Sequence, residues 1–161
     1  MDKLLNILSE NADFTPAQLA AMLNEPEADI KARIGKYRAD GVIKGYQALV
    51  DWSLVEDSDV TAFIELKVTP KPETGFDEIA KQVMSFDKVK SVYLVASSTY
   101  DLLAVVKGKN INEIAMFVSK RLSTLNSVIS TATHFLLNKY KEGGVVFQNE
   151  CSTDEQRSLV L

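Results

Sequence analysis

The chain has 161 residues, 46% of them hydrophobic and 25% charged, with a formal net charge of −4. That is an ordinary globular balance, and it excludes collagen-like, disordered and disulfide-scaffold classes. A single Cys, Cys151, and a single His, His134, leave no internal disulfide and no Cys/His metal cluster, so no metal or other cofactor is expected. No run approaches the roughly 18 apolar residues of a membrane span. The opening MDKLLNILSENADF has an acid at its second position and no small cleavage residues, which reads as a cytoplasmic protein without a signal peptide. At about 150 residues per domain, the length admits one domain or two small ones.

The opening third has helical periodicity. Leu4, Leu5 and Leu8 share one face of a first helix, and Asn11-Ala12-Asp13 forms a break. Thr15, Pro16 and Gln18 make a capping-box signature at the start of a second helix, whose inward face is Leu19, Ala20 and Leu23. Asn24-Glu25-Pro26 opens a third, with Ile30, Ile34 and Tyr37 at spacings of four and three and an end at Asp40-Gly41. Three short helices, the last two joined by a tight turn, predict a helix-turn-helix. The following VIKGYQALVDW reads as strand-like and LVEDSD as an acidic connector.

From Val60 the period changes to two. VTAFIELKV predicts a strand, PKPETG a loop, and Phe76, Ile79, Ala80, Val83 and Met84 the inward face of a helix. VKSVYLVA and DLLAVVKG predict two strands separated by Ser97-Ser98-Thr99-Tyr100. Asn110 is a natural N-cap for a helix carrying Ile111, Ile114, Ala115, Val118, Leu122 and Leu125. VISTATHFLLNKY predicts a last strand. The order β-α-β-β-α-β is ferredoxin-like. Two helices cover one sheet face, yet Leu103 and Val105 alternate with Leu102, Ala104 and Val106. Adding Phe63, Tyr93 and Val95 leaves an apolar second face that predicts pairing of two chains through their sheets.

Local charge departs from the net −4. From Ile30 to Gln47 the charged residues are Lys31, Arg33, Lys36, Arg38, Asp40 and Lys44, a basic cluster suited to a nucleic-acid partner. With Ile30, Ile34 and Tyr37 inward, the opposite face of the third helix is Ala28, Ala32, Gly35 and Ala39, rimmed by Lys31 and Lys36. Most charge runs are only solvated faces. Gly35 weighs the other way, because an exposed mid-helix Gly costs roughly 1 kcal/mol against Ala. Glu27 and Asp29 favour the helix dipole and repel phosphate unless they point at base edges. The DNA-contact candidates are therefore Glu27, Ala28, Lys31, Ala32, Gly35, Lys36, Arg38 and Lys44. Ser97, Ser98, Thr99, Tyr100 and Asp101 form a simple turn that also groups hydroxyls, a ring and a carboxylate, as a site for a small zwitterion would. His134 reads as a half-buried strand residue and Cys151 as an incidental thiol in the tail, and no phosphate-loop, GxGxxG or paired-acid signature is present.

The string LAAMLNEPEADIKARIGKYRADGVIKGY, followed by VYLVASSTYDLLAVV and VISTATHFLLNKYK, resembles the Lrp/AsnC (feast/famine) family of transcription regulators from about Leu4 to Lys141. The resemblance rests most on Leu19-Ala20, Ile30, Arg33-Ile34, Gly41-Val42-Ile43 and Tyr46, and on Tyr100-Asp101-Leu102-Leu103, Val128, Thr131 and Thr133. It implies a winged helix-turn-helix followed by an effector and assembly domain, in dimers that often join as octamers, with amino acids as the usual effectors. Two positions depart from the family pattern. Glu25-Pro26 stands where the family has Leu-Ser, leaving Asn24 or Glu25 to cap the third helix, and Ser98 stands where the effector turn has Gly.

The expected domains are 1–47, a winged helix-turn-helix that binds DNA; 48–59, a linker; 60–141, a ferredoxin-like domain for effector binding and oligomerisation; and 142–161, a tail. The expected function is a sequence-specific, double-stranded-DNA-binding transcription regulator and not an enzyme, homodimeric or larger, that responds to an amino acid or related metabolite. The alternative is a metabolite-binding assembly module that has lost DNA binding.

Overall fold

The computed structural model describes residues 2–56 and 58–147. Within them the chain divides into two compact units. One runs from the N terminus through Val50 and is rejoined by the segment from Tyr140; the other is Asp51–Lys139. No helix among the described residues is long and apolar enough to cross a membrane.

The first unit contains α1 (Lys3–Glu10), α2 (Pro16–Leu23) and α3 (Glu27–Ala39). Asp2 caps α1 by accepting the Leu4 N–H at 2.8 Å. Thr15 and Gln18 make the expected capping box at α2, which satisfies two of the donors that a helix start leaves orphaned. Leu4, Leu8, Leu19 and Ile30 are buried together, with Ile34 and Tyr37 packed partly against them. The start of α3 departs from expectation. Pro26 occupies the N-cap position with no side-chain cap bond, and Asn24 instead closes α2 in a left-handed conformation, φ 55°. A left-handed residue often closes a helix and Asn tolerates that conformation; the Asn24 N–H bonds back to Ala20 O. Glu27 and Asp29 in the first turn of α3 offset the uncapped dipole.

The segment 42–52, expected to be strand-like, is assigned no strand. An extended run becomes a strand only beside a partner that satisfies its backbone groups, and no strand of the described residues pairs with it. The tail returns to this unit as a hairpin, β5 (Lys141–Glu142) and β6 (Val145–Val146). Its turn residues Gly143 and Gly144 both have positive φ, 55° and 85°, as a two-residue type I′ turn demands. A Cβ on Gly143 would stand 3.1 Å from the Leu49 side chain. Cys151 and the tail beyond residue 147 lie outside the described residues.

The second unit is β1 (Val60–Val68), α4 (Asp77–Met84), β2 (Val89–Leu94), β3 (Leu102–Gly108), α5 (Ile111–Phe117, continued by a π turn Val118–Leu122) and β4 (Val128–Phe135). The sheet is antiparallel throughout in the order β2-β3-β1-β4. This is the ferredoxin-like arrangement the periodicity predicts. Ala62, Ile64, Leu66 and Val68 of β1 and Leu102, Ala104 and Val106 of β3 face Ile79, Val83, Ile114, Phe117, Val118 and Leu122 of the helical layer, and each such aliphatic side chain contributes roughly 1.5–3 kcal/mol by leaving water. Met84, Ile111 and Ala115, expected inward, are exposed; the first two sit at helix ends. Trp52–Leu54 forms a 3-10 turn in which Asp51 accepts the Ser53 N–H, and the Trp52 ring stacks on the Lys107 ammonium at 5.3 Å.

The open face of the sheet carries Phe63, Glu65 and Lys67 of β1, Leu103, Val105 and Lys107 of β3, Tyr93 of β2, and Ala132 and His134 of β4. His134 is not half-buried as expected. Its side chain is 57% exposed, with Nε2 3.4 Å from Glu65 Oε1, because it alternates onto the face that no helix covers.

Candidate functional site

In α3 the inward positions are Ile30, buried, and Arg33, Ile34 and Tyr37, partly buried, while Glu27, Ala28, Lys31, Ala32, Gly35, Lys36, Arg38 and Ala39 are exposed. The expected surface therefore exists as one outward strip of small residues with bases beside it. A Cβ built on Gly35 meets nothing within 4 Å, so no packing among the described residues explains the glycine.

The bases are not equivalent. Lys31 is paired with Glu27 at 2.6 Å, one helical turn away. Arg33, counted in the basic cluster, points inward: its Nη1 donates to Glu25 Oε2 at 2.6 Å and its Nη2 to both Asp2 oxygens at 2.9 Å. Arg38 lies over the Tyr46 ring at 5.1 Å, a stacking that holds the guanidinium at the surface. Lys36 and Lys44 make no ion pair among the described residues, and Lys44 Nζ lies 3.0 Å from the place a Cβ on Gly41 would take. Lys36, Arg38 and Lys44 thus gather the available positive charge at the C-terminal end of α3.

The Asp2–Arg33–Tyr37–Glu25 group escaped the sequence reading. Tyr37 donates its hydroxyl to Asp2 Oδ2. The Tyr37 hydrogen bond first, then those of Arg33 and the Leu4 and Leu5 N–H groups, hold the Asp2 carboxyl at about 2 against the opposing effect of burial. The same bond pushes the Tyr37 hydroxyl upward, and Glu25 and then Asp2 keep Arg33 protonated above its ordinary value. The one visible signal was an acid directly before the first helical turn, an N-cap pattern.

In the second unit, the segment from Val95 to Asp101 links β2 to β3. Ser97 Oγ accepts the Thr99 N–H at 3.3 Å and lies 3.2 Å from the Thr99 hydroxyl; Ser98 and Thr99 are exposed, Ser97 and Tyr100 partly buried. Asp101 turns away from these hydroxyls. Its carboxylate accepts the Val68 N–H at 3.0 Å and the Lys67 ammonium at 3.1 Å, and its own N–H donates to Leu66 O at 3.0 Å. The Val68 N–H, and then Lys67, hold the carboxyl below the usual carboxylate range. Two of about four acceptor sites on a carboxylate are thereby occupied. Just beyond Val68 lies a shallow cleft lined by Thr69, Lys71, Gly75, Glu78, Ile79, Gln82 and Ser127, with room for about one water molecule. No group of His, Cys, Asp and Glu among the described residues could hold a metal ion.

A family model described as the Lrp/AsnC ligand binding domain matches residues 61–146, a span that includes the β5–β6 hairpin. Over 159 residues the chain is 44% identical to an uncharacterized HTH-type transcriptional regulator, YugG, of Bacillus subtilis, covering 98% of this chain and 94% of that one. It is 32% identical to the HTH-type transcriptional regulator LysM of Sulfurisphaera tokodaii, over 84% of this chain and 91% of the other. Among solved structures, the transcriptional regulator NMB0573 of Neisseria meningitidis in complex with L-Met matches with a TM-score of 0.69 at 21% identity, covering 88% of this chain and 93% of that chain.

Proposed function

The chain belongs to the Lrp/AsnC family of transcription regulators, and on that premise we propose that it reads duplex DNA with α3 and answers to an amino acid or close relative through its sheet unit. The observation that carries the DNA reading is the outward strip Ala28, Ala32, Gly35 and Ala39, with Lys36, Arg38 and Lys44 beside it. Small side chains let a helix sit deep in the major groove, and bases without internal acid partners are free to neutralise phosphates. Glu27, paired with Lys31, no longer presents a bare negative charge to the backbone.

For the effector, the Val95–Asp101 segment offers hydroxyls, turn amides and the remaining acceptor capacity of Asp101. The L-Met held by the Neisseria regulator supports a zwitterion of this class. The uncovered face with Phe63, Leu103, Val105 and Tyr93 supports a homodimer joined sheet to sheet. Work on DNA supports a cytoplasmic location and a regulatory rather than catalytic role.

The test begins with selection of a duplex from a random-sequence library on the full-length protein. Ala32→Glu should abolish binding in a folded protein. Lys36→Ala should weaken it and lower the slope of log K against log salt by about one. Retained binding by Ala32→Glu would place recognition elsewhere, and failure of the wild type to enrich any duplex would sink the DNA reading.

A further inference from the structure

The recognition helix is poorly fixed by apolar packing. Of its side chains only Ile30 is fully buried, with Ile34 and Tyr37 partly so, and its N terminus has no side-chain cap. A helix held by one buried residue can roll about its axis, and roll decides which residues face a groove. The polar group around Arg33 opposes that roll. It joins three elements: Asp2 at the start of α1, Glu25 in the turn between α2 and α3, and Arg33 and Tyr37 one turn apart on α3. The bonds leave α3 on the side opposite Ala28, Ala32, Gly35 and Ala39. A planar guanidinium gripped by carboxylates on two sides resists rotation in a way that a single aliphatic contact does not.

We propose that Asp2 and Arg33 form a strut that sets the roll of α3, so that Arg33 is a positioning residue for DNA recognition and not a DNA contact, and the start of α1 belongs to the DNA-reading apparatus. This rests on the reading of α3 as the recognition helix. It has a consequence opposite in sign to simple electrostatics. Removing an acid from a DNA-binding unit ordinarily strengthens binding, because phosphate repulsion falls; removing the Asp2 charge weakens it here, because α3 loses its fixed roll.

The experiment measures binding of full-length protein to a duplex enriched on the wild type, by fluorescence anisotropy across a salt series, for Asp2→Asn, Arg33→Gln and the double variant. Asn still caps a helix, so Asp2→Asn removes the charge while α1 keeps its start, and it carries the test should Arg33→Gln fail to fold. Each single variant should bind about tenfold more weakly, the loss expected for one charge-assisted bond. The double variant should be no weaker than either single, since the two residues act as a unit. The salt slope should not change, because no phosphate contact is lost. Equal or tighter binding by Asp2→Asn, a shallower slope for Arg33→Gln, or losses that multiply in the double variant would each overturn the strut. If the wild type enriches no duplex, the DNA reading fails first; if it does and Asp2→Asn binds as well, only the strut fails.

Discussion

Asp101 ties β1 to β3 with its carboxylate and its own N–H, so its side chain serves the sheet before it serves any ligand. Asp101→Ala leaves the Val68 N–H without its acceptor and should cost about 1–3 kcal/mol in chemical denaturation of the protein. The pH dependence has a definite sign. The folded carboxyl is lowered, so its contribution is complete above the ordinary Asp range near 3.9 and is lost as pH falls through the lowered value. Asp101→Asn should therefore show a flatter loss of stability on acidification than the wild type, and parallel acid profiles would contradict the assignment. Gly35 gives a prediction with two opposed readouts. Gly35→Ala has open space and should stabilise the helical unit by roughly 1 kcal/mol. On the proposed reading of α3 the added methyl would stand where the backbone meets DNA, so binding to an enriched duplex should weaken. A variant that is more stable and binds as tightly would leave the glycine without a role in recognition.

At the scale of elements, the contact of β3 with α5 is tighter than either sequence pattern suggests. A Cβ on Gly108 would stand 2.9 Å from Ile114 Cγ1 and 3.1 Å from Glu113 Oε2. That Glu113 oxygen is already the acceptor of the Lys109 N–H at 2.6 Å, and its companion pairs with Lys88 at 2.5 Å. Gly108→Ala should thus cost about 1–3 kcal/mol by overpacking, read as a lower denaturation midpoint with unchanged secondary structure. The three-helix unit has its own acid sensitivity. Asp2 is held at about 2, below its ordinary value, so its support is full above about pH 4 and disappears as pH falls through about 2. Far-UV circular dichroism of the full chain should show helix loss in that window, and Asp2→Asn should remove this component. These features were only partly legible. The capping box at Thr15 and the N-cap at Asn110 are local motifs and were readable. Pro26 as N-cap and Met84 facing outward were not, since one depends on how Asn24 is used and the other on how far a helix overlies its sheet.

For the whole molecule, the uncovered sheet face sets the expectation of assembly. Val105→Lys places a charge in the middle of that face, beside Phe63 on the neighbouring strand, and should convert a dimer into a folded monomer by sedimentation velocity. The segment Asp51–Lys139 should self-associate by itself, because the face belongs wholly to that unit; a monomeric fragment that folds would move the interface elsewhere. His134, exposed, and Glu65, partly buried, sit on this same face.

The fold class and the position of the third helix followed from sequence alone, because hydrophobic period and helix caps are local properties: a period of 3.6 up to Ala39, a period of two from Val60, and Pro, Gly and Asn at the breaks. The partners of polar side chains did not. Arg33 was one base in a run of bases until folding set it between Asp2 and Glu25, the first of them 31 positions away in the chain. Asp101 was a turn carboxylate until β1 came beside it. The extended stretch after α3 had the composition of a strand, but a strand exists only with a neighbour, and pairing is decided in three dimensions. Tertiary structure chose which charges are paired internally and which stay at the surface, because a charge pairs with whichever opposite group the fold brings within about 3 Å of it.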